Sequence, residues 1–293
     1  MEKILLTGGT GFVGSYVRDR LLSRGFKVTI LGHRPTDGQP PGVGFFLGDI
    51  GDREAVLEAV GAHAGVIHLA GVLGTQELLQ EPRVAVEINI KGCLNVFDAI
   101  RAHRKRGVYI SVGNYWMNNP YAISKSVAER FGLMYNKEFK TQIAIVRGFN
   151  IYGPRQRPAP VRKVVPNFIL SALKGDDLVI NGSGKQVMDM IYVEDVADIL
   201  VRALLMDHGV YNRGIEAGMG RDTTINELAD LVISTVGSRS KTRHVEMRPG
   251  EEPESVVKAN VETLKCLDFS PEDMTCLEEG IRKTVEWYRA QQE

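Results

Sequence analysis

Apolar residues along the first half of the chain follow two alternating patterns. Short apolar runs typical of buried strands are separated by longer segments in which apolar residues recur at helical spacing. Parallel strands joined by helical crossovers form a sheet covered on both faces, so the alternation predicts an α/β fold with a doubly wound parallel sheet. The predicted strands are 3–8, 27–31, 43–49, 65–71, 107–113 and 142–148, and the predicted helices are 14–25, 53–63, 83–103 and 121–139.

The pattern becomes less regular after about residue 154. A proline-containing loop opens this part, and a Thr224–Glu227 capping box precedes the apolar helical run that ends at residue 237. Residues 244–257 have the composition of a loop, and the last helix is expected over 271–290. We predict two domains, a larger one with the parallel sheet and a smaller C-terminal α/β one. The larger covers residues 1–155 and 186–213, and the smaller covers 156–185 and 214–293.

Composition narrows the possible functions. The 293 residues include 36 Lys and Arg against 36 Asp and Glu, so the net charge is zero and nothing favours nucleic acid or a membrane surface as a partner. No apolar stretch approaches the length of a membrane span, and no histidine pair has metal-ligand spacing. The three cysteines lack CxxC spacing, which is typical of a reducing compartment. We therefore expect a cytoplasmic protein without a metal site.

A glycine triplet lies between the first strand and the first helix. Gly8, Gly11 and Gly14 occur in the run LLTGGTGFVG. Glycines there allow a tight turn and let a pyrophosphate approach the N–H groups at the helix N-terminus. The triplet therefore predicts a dinucleotide site of the Rossmann type, and the alternative is a plain tight turn. Further residues expected to contact the dinucleotide are Phe12, Val13, Ile50, Leu69, Ala70 and Gly71.

The second strand gives a weak indication of which dinucleotide is bound. A carboxylate at its end would hold the ribose hydroxyls, but the chain has Gly32 there, followed by His33 and Arg34. A carboxylate is missing and a cation is present, which suits a 2′-phosphate, so NADP is slightly preferred over NAD; the alternative is that Arg34 is ordinary surface charge. Asp49, after the third strand, is placed to accept a hydrogen bond from the adenine amine.

Tyr121 and Lys125 lie four residues apart at the start of a predicted helix, so they share one helix face. A nearby ammonium favours phenolate and would lower the pKa of the tyrosine. Beside a nicotinamide, a phenolate can remove a hydroxyl proton while hydride leaves the same carbon. A Tyr–Lys pair at this spacing is often a surface feature, but behind a dinucleotide loop it indicates catalysis.

Further motifs extend this pattern along the whole chain, and with them it resembles the extended short-chain dehydrogenase/reductase family, in its nucleotide-sugar epimerase/dehydratase branch. The matching runs are TGGTGFVG, GD at 48–49, VIHLAG, NIKG, PYAISK, RGFNIYGPRQ, MDMIYVEDVA and RPGE. The resemblance implies that Tyr121 is the base and that Lys125 holds the nicotinamide ribose and tunes Tyr121. It also implies that Asn150 and Arg248 lie near a nucleoside-diphosphate sugar, with Arg248 on the diphosphate, and that the smaller domain binds substrate. It further implies a homodimer formed by helices 83–103 and 121–138.

The chain departs from the family at two places. The hydroxyl that usually contacts the substrate would be at Ser111 or, with other alignments, at Gly113 or Asn114, and Trp116 in the shortened loop could line the sugar pocket or fill the core. A phosphate-binding arginine of the family is replaced by Met188. Its candidate substitutes are Arg155, Arg157 and Lys185.

The loop after the fifth strand has no carboxylate, which argues against dehydration. The first expectation is therefore C4 epimerisation through a 4-keto sugar. The alternatives are a net reductase or decarboxylase on a nucleotide sugar, and a non-catalytic NAD(P)-binding sensor.

Overall fold

A seven-stranded parallel sheet forms the centre of the computed structural model, which describes residues 1–35, 39–206 and 210–292. Its strand order is β11-β6-β5-β4-β1-β2-β3. The order reverses beside β1, which pairs with β2 on one side and β4 on the other, so the predicted doubly wound α/β fold is confirmed. The strands are β1 Lys3–Thr7, β2 Lys27–Gly32, β3 Val43–Leu47, β4 Gly65–His68, β5 Arg106–Val112, β6 Gln142–Gly148 and, after four short strands given below, β11 Gly214–Ala217.

Helices cover both faces of this sheet. Helices α1 and α7 pack together on one face, where Val17, Leu21 and Leu200 are fully buried. Helices α2, α4 and α5 pack on the other, around Phe97 and Val56. The helices are α1 Phe12–Ser23, α2 Arg53–Gly61, α3 Pro82–Ala85, α4 Cys93–His103, α5 Pro120–Phe139, α6 Val164–Lys174, α7 Val193–Leu205, α8 Ile225–Val236 and α9 Leu277–Ala290.

Two predicted helices differ in detail from the structure. The last one begins at Leu277 and not at 271, because residues 271–273 form a separate 3-10 turn that ends at an extended Met274. The segment expected as a helix over 83–103 consists of α3, a π-helical segment Val86–Gly92, and α4. Wide π turns are rare and frequently occur at functional sites. This one carries the NIKG motif, whose Asn89 is buried.

The smaller α/β unit has its own core between α6, α8 and α9, around Phe168, Leu228 and Ile281. The Thr224–Glu227 capping box is confirmed at the start of α8. The loop predicted over 244–257 is wrong at both ends. Its first two residues belong to a strand that pairs with β8, and its last two form a strand that pairs with β9, so that backbone groups at both ends are hydrogen-bonded. The short strands pair as β7 Ile151–Tyr152 with β10 Ile191–Tyr192, β8 Leu178–Asn181 with β12 Thr242–Val245, and β9 Val187–Met188 with β13 Val256–Val257.

The domain boundary expected at residue 214 needs one correction. Residues 214–217 form β11, which pairs in parallel with β6 and so belongs to the large sheet. Sequence analysis identified no strand at 214–217, because the pairing with β6 joins residues far apart in the chain. The rest of the predicted division remains a prediction.

No helix within the described residues is long and apolar enough to cross a membrane. Over the same ranges, no group of three or more His, Cys, Asp or Glu side chains is placed to hold a metal ion.

Candidate active site

A cavity of about 1160 Å³ lies at the carboxyl ends of the main-sheet strands and extends to the smaller unit. Ligands of doubly wound sheets bind at this edge, next to the point where the strand order reverses. Pockets for one small molecule usually measure about 300–1000 Å³, so this cavity has room for two ligands side by side. The residues expected at the dinucleotide all line it, namely Gly8, Gly11, Phe12, Val13, Gly14, His33, Arg34, Asp49, Ile50, Leu69, Ala70, Gly71, Tyr121 and Lys125.

The glycine loop fits a dinucleotide diphosphate. Gly8 has φ +71°, and a Cβ there would lie 2.7 Å from the backbone nitrogen of Ala70. A Cβ at Gly14 would lie 2.1 Å from the carbonyl oxygen of Gly8, so only glycine allows the helix to begin this close to the strand. Gly11 is the N-cap residue of α1 and no side chain caps the helix. The first-turn N–H groups and the positive end of the helix dipole are therefore available to an anion.

His33 and Asp49 contact each other at the end of the cavity where the adenosine is expected. His33 Nδ1 lies 2.9 Å from Asp49 Oδ2, and Asp49 Oδ1 accepts from the N–H of Gly51 at 2.6 Å. Arg34 lines the cavity nearby. The Asp49 carboxylate therefore lies beside the position at which Arg34 indicated a 2′-phosphate site.

Tyr121 and Lys125 both project into the cavity from the first turns of α5. Asn119 caps this helix by accepting the N–H of Ala122 at 2.9 Å, and Pro120 follows at the first helical position. The local sequence thus determines where the helix begins, and the four-residue spacing places both side chains on one face.

The pKa of Tyr121 differs from the expectation for a tyrosine beside Lys125. Burial raises the pKa of the Tyr121 phenol to about 12, and burial lowers the pKa of Lys125 to about 8. The predicted lowering of the Tyr121 pKa is wrong for the protein without ligands, because desolvation of the phenolate dominates. The Lys125 ammonium lies 4.2 Å from the centre of the Tyr109 ring.

Asn89 holds the turn that carries Tyr121. Its side chain accepts from the N–H of Val72 at 2.9 Å and donates to the Val72 carbonyl at 3.1 Å. It also donates to Ser124 Oγ at 3.0 Å, and Ser124 donates to the carbonyl of Tyr121 at 3.0 Å. Sequence reasoning assigned Asn89 no role, although a buried polar residue on a helix in the NIKG motif was an available signal.

Among the three candidate positions for the substrate-contacting hydroxyl, Ser111 is best placed. Its Oγ is buried at the cavity wall and has no hydrogen-bond partner. A buried hydroxyl without a partner costs free energy, which a substrate hydroxyl could recover. Asn114 lines the cavity and donates to Met117 Sδ at 3.2 Å, whereas Gly113, which packs against Phe149, offers no side chain.

Asn150 and Arg248 line the end of the cavity formed by the smaller unit, where the substrate was expected. Asn150 donates to the Asp189 carbonyl at 3.0 Å. Arg248 pairs with Glu251, and its Nε is buried without a partner. Lys163, which sequence reasoning missed, lines the same end immediately before α6. Burial, and then the neighbouring Arg248, lower the pKa of Lys163.

Sequence reasoning also missed a buried hydrogen-bond acceptor at this end of the cavity. Gln186 lines the cavity and donates to the Asn181 carbonyl at 2.9 Å, while its Oε1 is buried without a partner. Lys163 and Gln186 lie in segments that read as loop, where no periodicity indicates which way a side chain points.

Four residues expected at the substrate do not line the cavity. Trp116 is 42% exposed. Arg155 pairs with Asp19 Oδ2 at 2.8 Å and lies over the Tyr16 ring on the outer side of α1. Lys185 is exposed, and Arg157 also lies outside the lining. None of the three candidate substitutes for the arginine that Met188 replaces therefore lines the cavity.

Comparison with known proteins agrees with this fold and site. The model of the NAD dependent epimerase/dehydratase family matches residues 4–216, and the chain belongs to that family. A UDP-N-acetyl-α-D-glucosaminuronate decarboxylase from Bacillus cytotoxicus is 31% identical, with 98% of each chain covered. The resemblance drawn from the motifs is thereby confirmed.

Solved structures of similar fold include two UDP-glucose 4-epimerases. That of Thermotoga maritima, determined with UDP-glucose, has a TM-score of 0.90 and 28% identity over 99% of this chain and all of that one. That of Thermus thermophilus, determined with NAD, has a TM-score of 0.87 and 28% identity over 98% and 99% of the two chains.

Proposed function

We propose that the protein epimerises a nucleoside-diphosphate sugar at C4, using a bound nicotinamide dinucleotide. One observation carries the proposal: a single cavity joins the glycine loop, the Tyr121 phenol and the unpartnered Ser111 hydroxyl to an end that carries Lys163 and Arg248. The dinucleotide would occupy the glycine-loop end. The sugar diphosphate would occupy the end with Lys163 and Arg248, so that the sugar lies between Tyr121 and the nicotinamide.

The residues divide the chemistry among them. When bound, the nicotinamide supplies a reversible hydride acceptor. Tyr121 takes the proton of the C4 hydroxyl, and Ser111 accepts or donates a hydrogen bond at the same oxygen. The Lys125 ammonium lowers the cost of charge on the phenolate. After the 4-keto sugar has turned over in the cavity, the hydride would return to the opposite face of C4, and Tyr121 would return the proton to the C4 oxygen.

For the cofactor we propose NAD. The family is NAD-dependent, and the expected preference for NADP gains no support from the similar structures. The contact of Asp49 with His33 supports NAD as well, since a second phosphate near that carboxylate would be repelled.

Decarboxylation is the second candidate, favoured by the similarity to the glucosaminuronate decarboxylase. A 4-keto group lies β to a carboxylate carried on C5, so the same oxidation by the same residues would prepare loss of carbon dioxide. Return of the hydride would then leave the dinucleotide oxidised at the end of each cycle.

The test is incubation with a panel of UDP-, dTDP- and GDP-sugars, including uronates, in separate reactions with NAD, NADH or NADPH, followed by NMR and mass spectrometry. A new anomeric signal from a product of unchanged mass, with no net formation of reduced dinucleotide, supports epimerisation. Release of carbon dioxide from a uronate selects the decarboxylase, and stoichiometric consumption of NADH or NADPH selects a reductase. Dinucleotide binding with no conversion of any sugar selects the sensor.

We also propose a homodimer and a cytoplasmic location. Ile123 and Met134 are exposed apolar residues three turns apart on one face of α5, and Val86 is exposed on the neighbouring π-helical segment. Analytical ultracentrifugation tests the dimer, and a sedimentation coefficient of monomer alone would exclude it. Fractionation of the source cells tests the location.

A further inference from the structure

Tyr109 makes two separate contacts with Lys125. The ammonium lies 4.2 Å from the centre of the Tyr109 ring, within the range of a cation–π interaction. The Tyr109 hydroxyl donates to the backbone carbonyl of Lys125 at 3.2 Å. One side chain of β5 therefore contacts both the charged tip of Lys125 and the helix turn from which it extends.

The Tyr109 ring is itself held on several sides. It is buried on the interior strand β5 and stacks on His68, with 5.8 Å between the ring centres and 26° between the ring planes. Phe97 meets it edge-on at 5.7 Å from α4. Thr7 Oγ1 lies 2.6 Å from His68 Nδ1 and also accepts the N–H groups of Leu69 and Ala70. The ring is thus fixed to the same strand ends that carry the glycine loop.

We propose that Tyr109 is the positioning residue for Lys125: its ring holds the ammonium, and its hydroxyl holds the carbonyl, on the cavity side of α5. The ammonium is directed past Gly71, where a Cβ would lie 4.0 Å from Lys125 Nζ. The inference rests on the proposed function only in giving Lys125 a task in the cavity. The contacts themselves do not depend on the reaction.

The titratable groups facing Lys125 do not provide a better partner for the ammonium. His68 on β4 stays neutral, because burial and then Lys125 lower its pKa to about 3. Cys93 at the start of α4 is a neutral thiol at ordinary pH, since burial raises its pKa. Glu129 on α5 favours the ammonium at longer range, but its carboxylate binds Arg147 at 2.6 Å. Tyr109 is the group with direct contact.

The experiment measures the pKa of Lys125 directly, in the full-length protein labelled with [ε-¹³C]lysine. NMR titration follows the Cε signals, and the one missing in Lys125→Met is assigned to Lys125. Tyr109→Leu removes the ring and the hydroxyl, Tyr109→Phe removes only the hydroxyl, and Phe97→Leu is the matched control that loosens the same core without touching Lys125. If Tyr109→Leu does not fold, Tyr109→Met replaces it at closer volume.

We expect Tyr109→Leu to lower the pKa of Lys125 by about one unit, as loss of a desolvated cation–π contact implies. In Tyr109→Phe and in Phe97→Leu the pKa of Lys125 should stay within about 0.3 unit of the wild-type value, because both variants keep a ring beneath the ammonium. An unchanged pKa in folded Tyr109→Leu, or an equal shift in Phe97→Leu, overturns the proposal. A protein that converts no nucleotide sugar would refute the proposed function and leave this titration unaffected.

Discussion

The side-chain amide of Asn89 donates to Ser124 Oγ at 3.0 Å, which ties the π-helical segment to the first turn of α5. Ser124 passes this constraint to the carbonyl of Tyr121, and Asn89 also binds both backbone groups of Val72 beside the cavity. The position of the proposed base therefore depends on a residue that does not line the cavity itself.

Asn89→Ala should lower the free energy of unfolding by about 2 kcal/mol, because it leaves part-buried backbone groups of Val72 without partners. Ser124→Ala removes the bonds to Asn89 and to the Tyr121 carbonyl but keeps both bonds to Val72, so it should cost about 1 kcal/mol. Urea denaturation measures both. Equal losses in the two variants would show that the bonds to Val72 contribute nothing to stability.

Tyr121→Phe should reduce turnover of the true substrate by a factor of about 10² or more, since it removes the group that exchanges the C4 proton. The variant keeps the ring and should bind NAD as the wild type does. Substrate turnover and calorimetric titration with NAD distinguish the two effects. Turnover at the wild-type rate would exclude the role given to Tyr121.

Lys125→Met should be more stable than the wild type at pH 7. The pKa of Lys125 falls from 10.5 to about 8 on folding, so the folded protein is destabilised by a buried charge at lower pH. The unfolded chain binds more protons between those values, so wild-type stability rises with pH through that window. The advantage of the variant should be about 3 kcal/mol at pH 7 and vanish near pH 10.5. Denaturation at several pH values measures it, and a pH-independent difference would contradict the assignment.

Lys163→Met should raise the KM for a nucleoside-diphosphate sugar by about tenfold, because one cation of the diphosphate end is lost. Met188 lines the same cavity, so Met188→Arg in the Lys163→Met background should recover part of the loss. Steady-state kinetics measure both, and exposed Lys174→Met on α6 is the matched control. A normal KM in Lys163→Met would remove this residue from the substrate site.

Asp49→Asn should shift dinucleotide preference towards NADP. The change removes the carboxylate charge beside His33 and leaves the Arg34 guanidinium unopposed at this end, which should improve NADPH binding by roughly 3–10-fold relative to NADH at low salt. Fluorescence titration with both reduced dinucleotides measures the ratio, with exposed Glu58→Gln on α2 as the control. No change in the ratio would show that the 2′ position lies away from Asp49.

Local patterns predicted strands β1 to β6 of the main sheet, their helices and the glycine-loop end of the cavity, but they missed β11. The glycine spacing and the Asn119–Pro120 helix start act within a few residues, so their geometry follows from the backbone alone. The directions of the Arg155 and Lys163 side chains could not be predicted in this way. Both lie in the irregular segment between β7 and α6, yet Arg155 pairs with Asp19 outside the cavity and Lys163 faces into it.

By itself the sequence determined the order of strands and helices, the glycine loop, and the placement of Tyr121 and Lys125 on one helix face. Each of these depends on chain periodicity or on neighbours within one or two turns. Only the tertiary structure decided the direction of the pKa shift at Tyr121, the ring beneath Lys125, and which cations reach the substrate end. These depend on burial and on contacts between residues far apart in the chain, which no local spacing encodes.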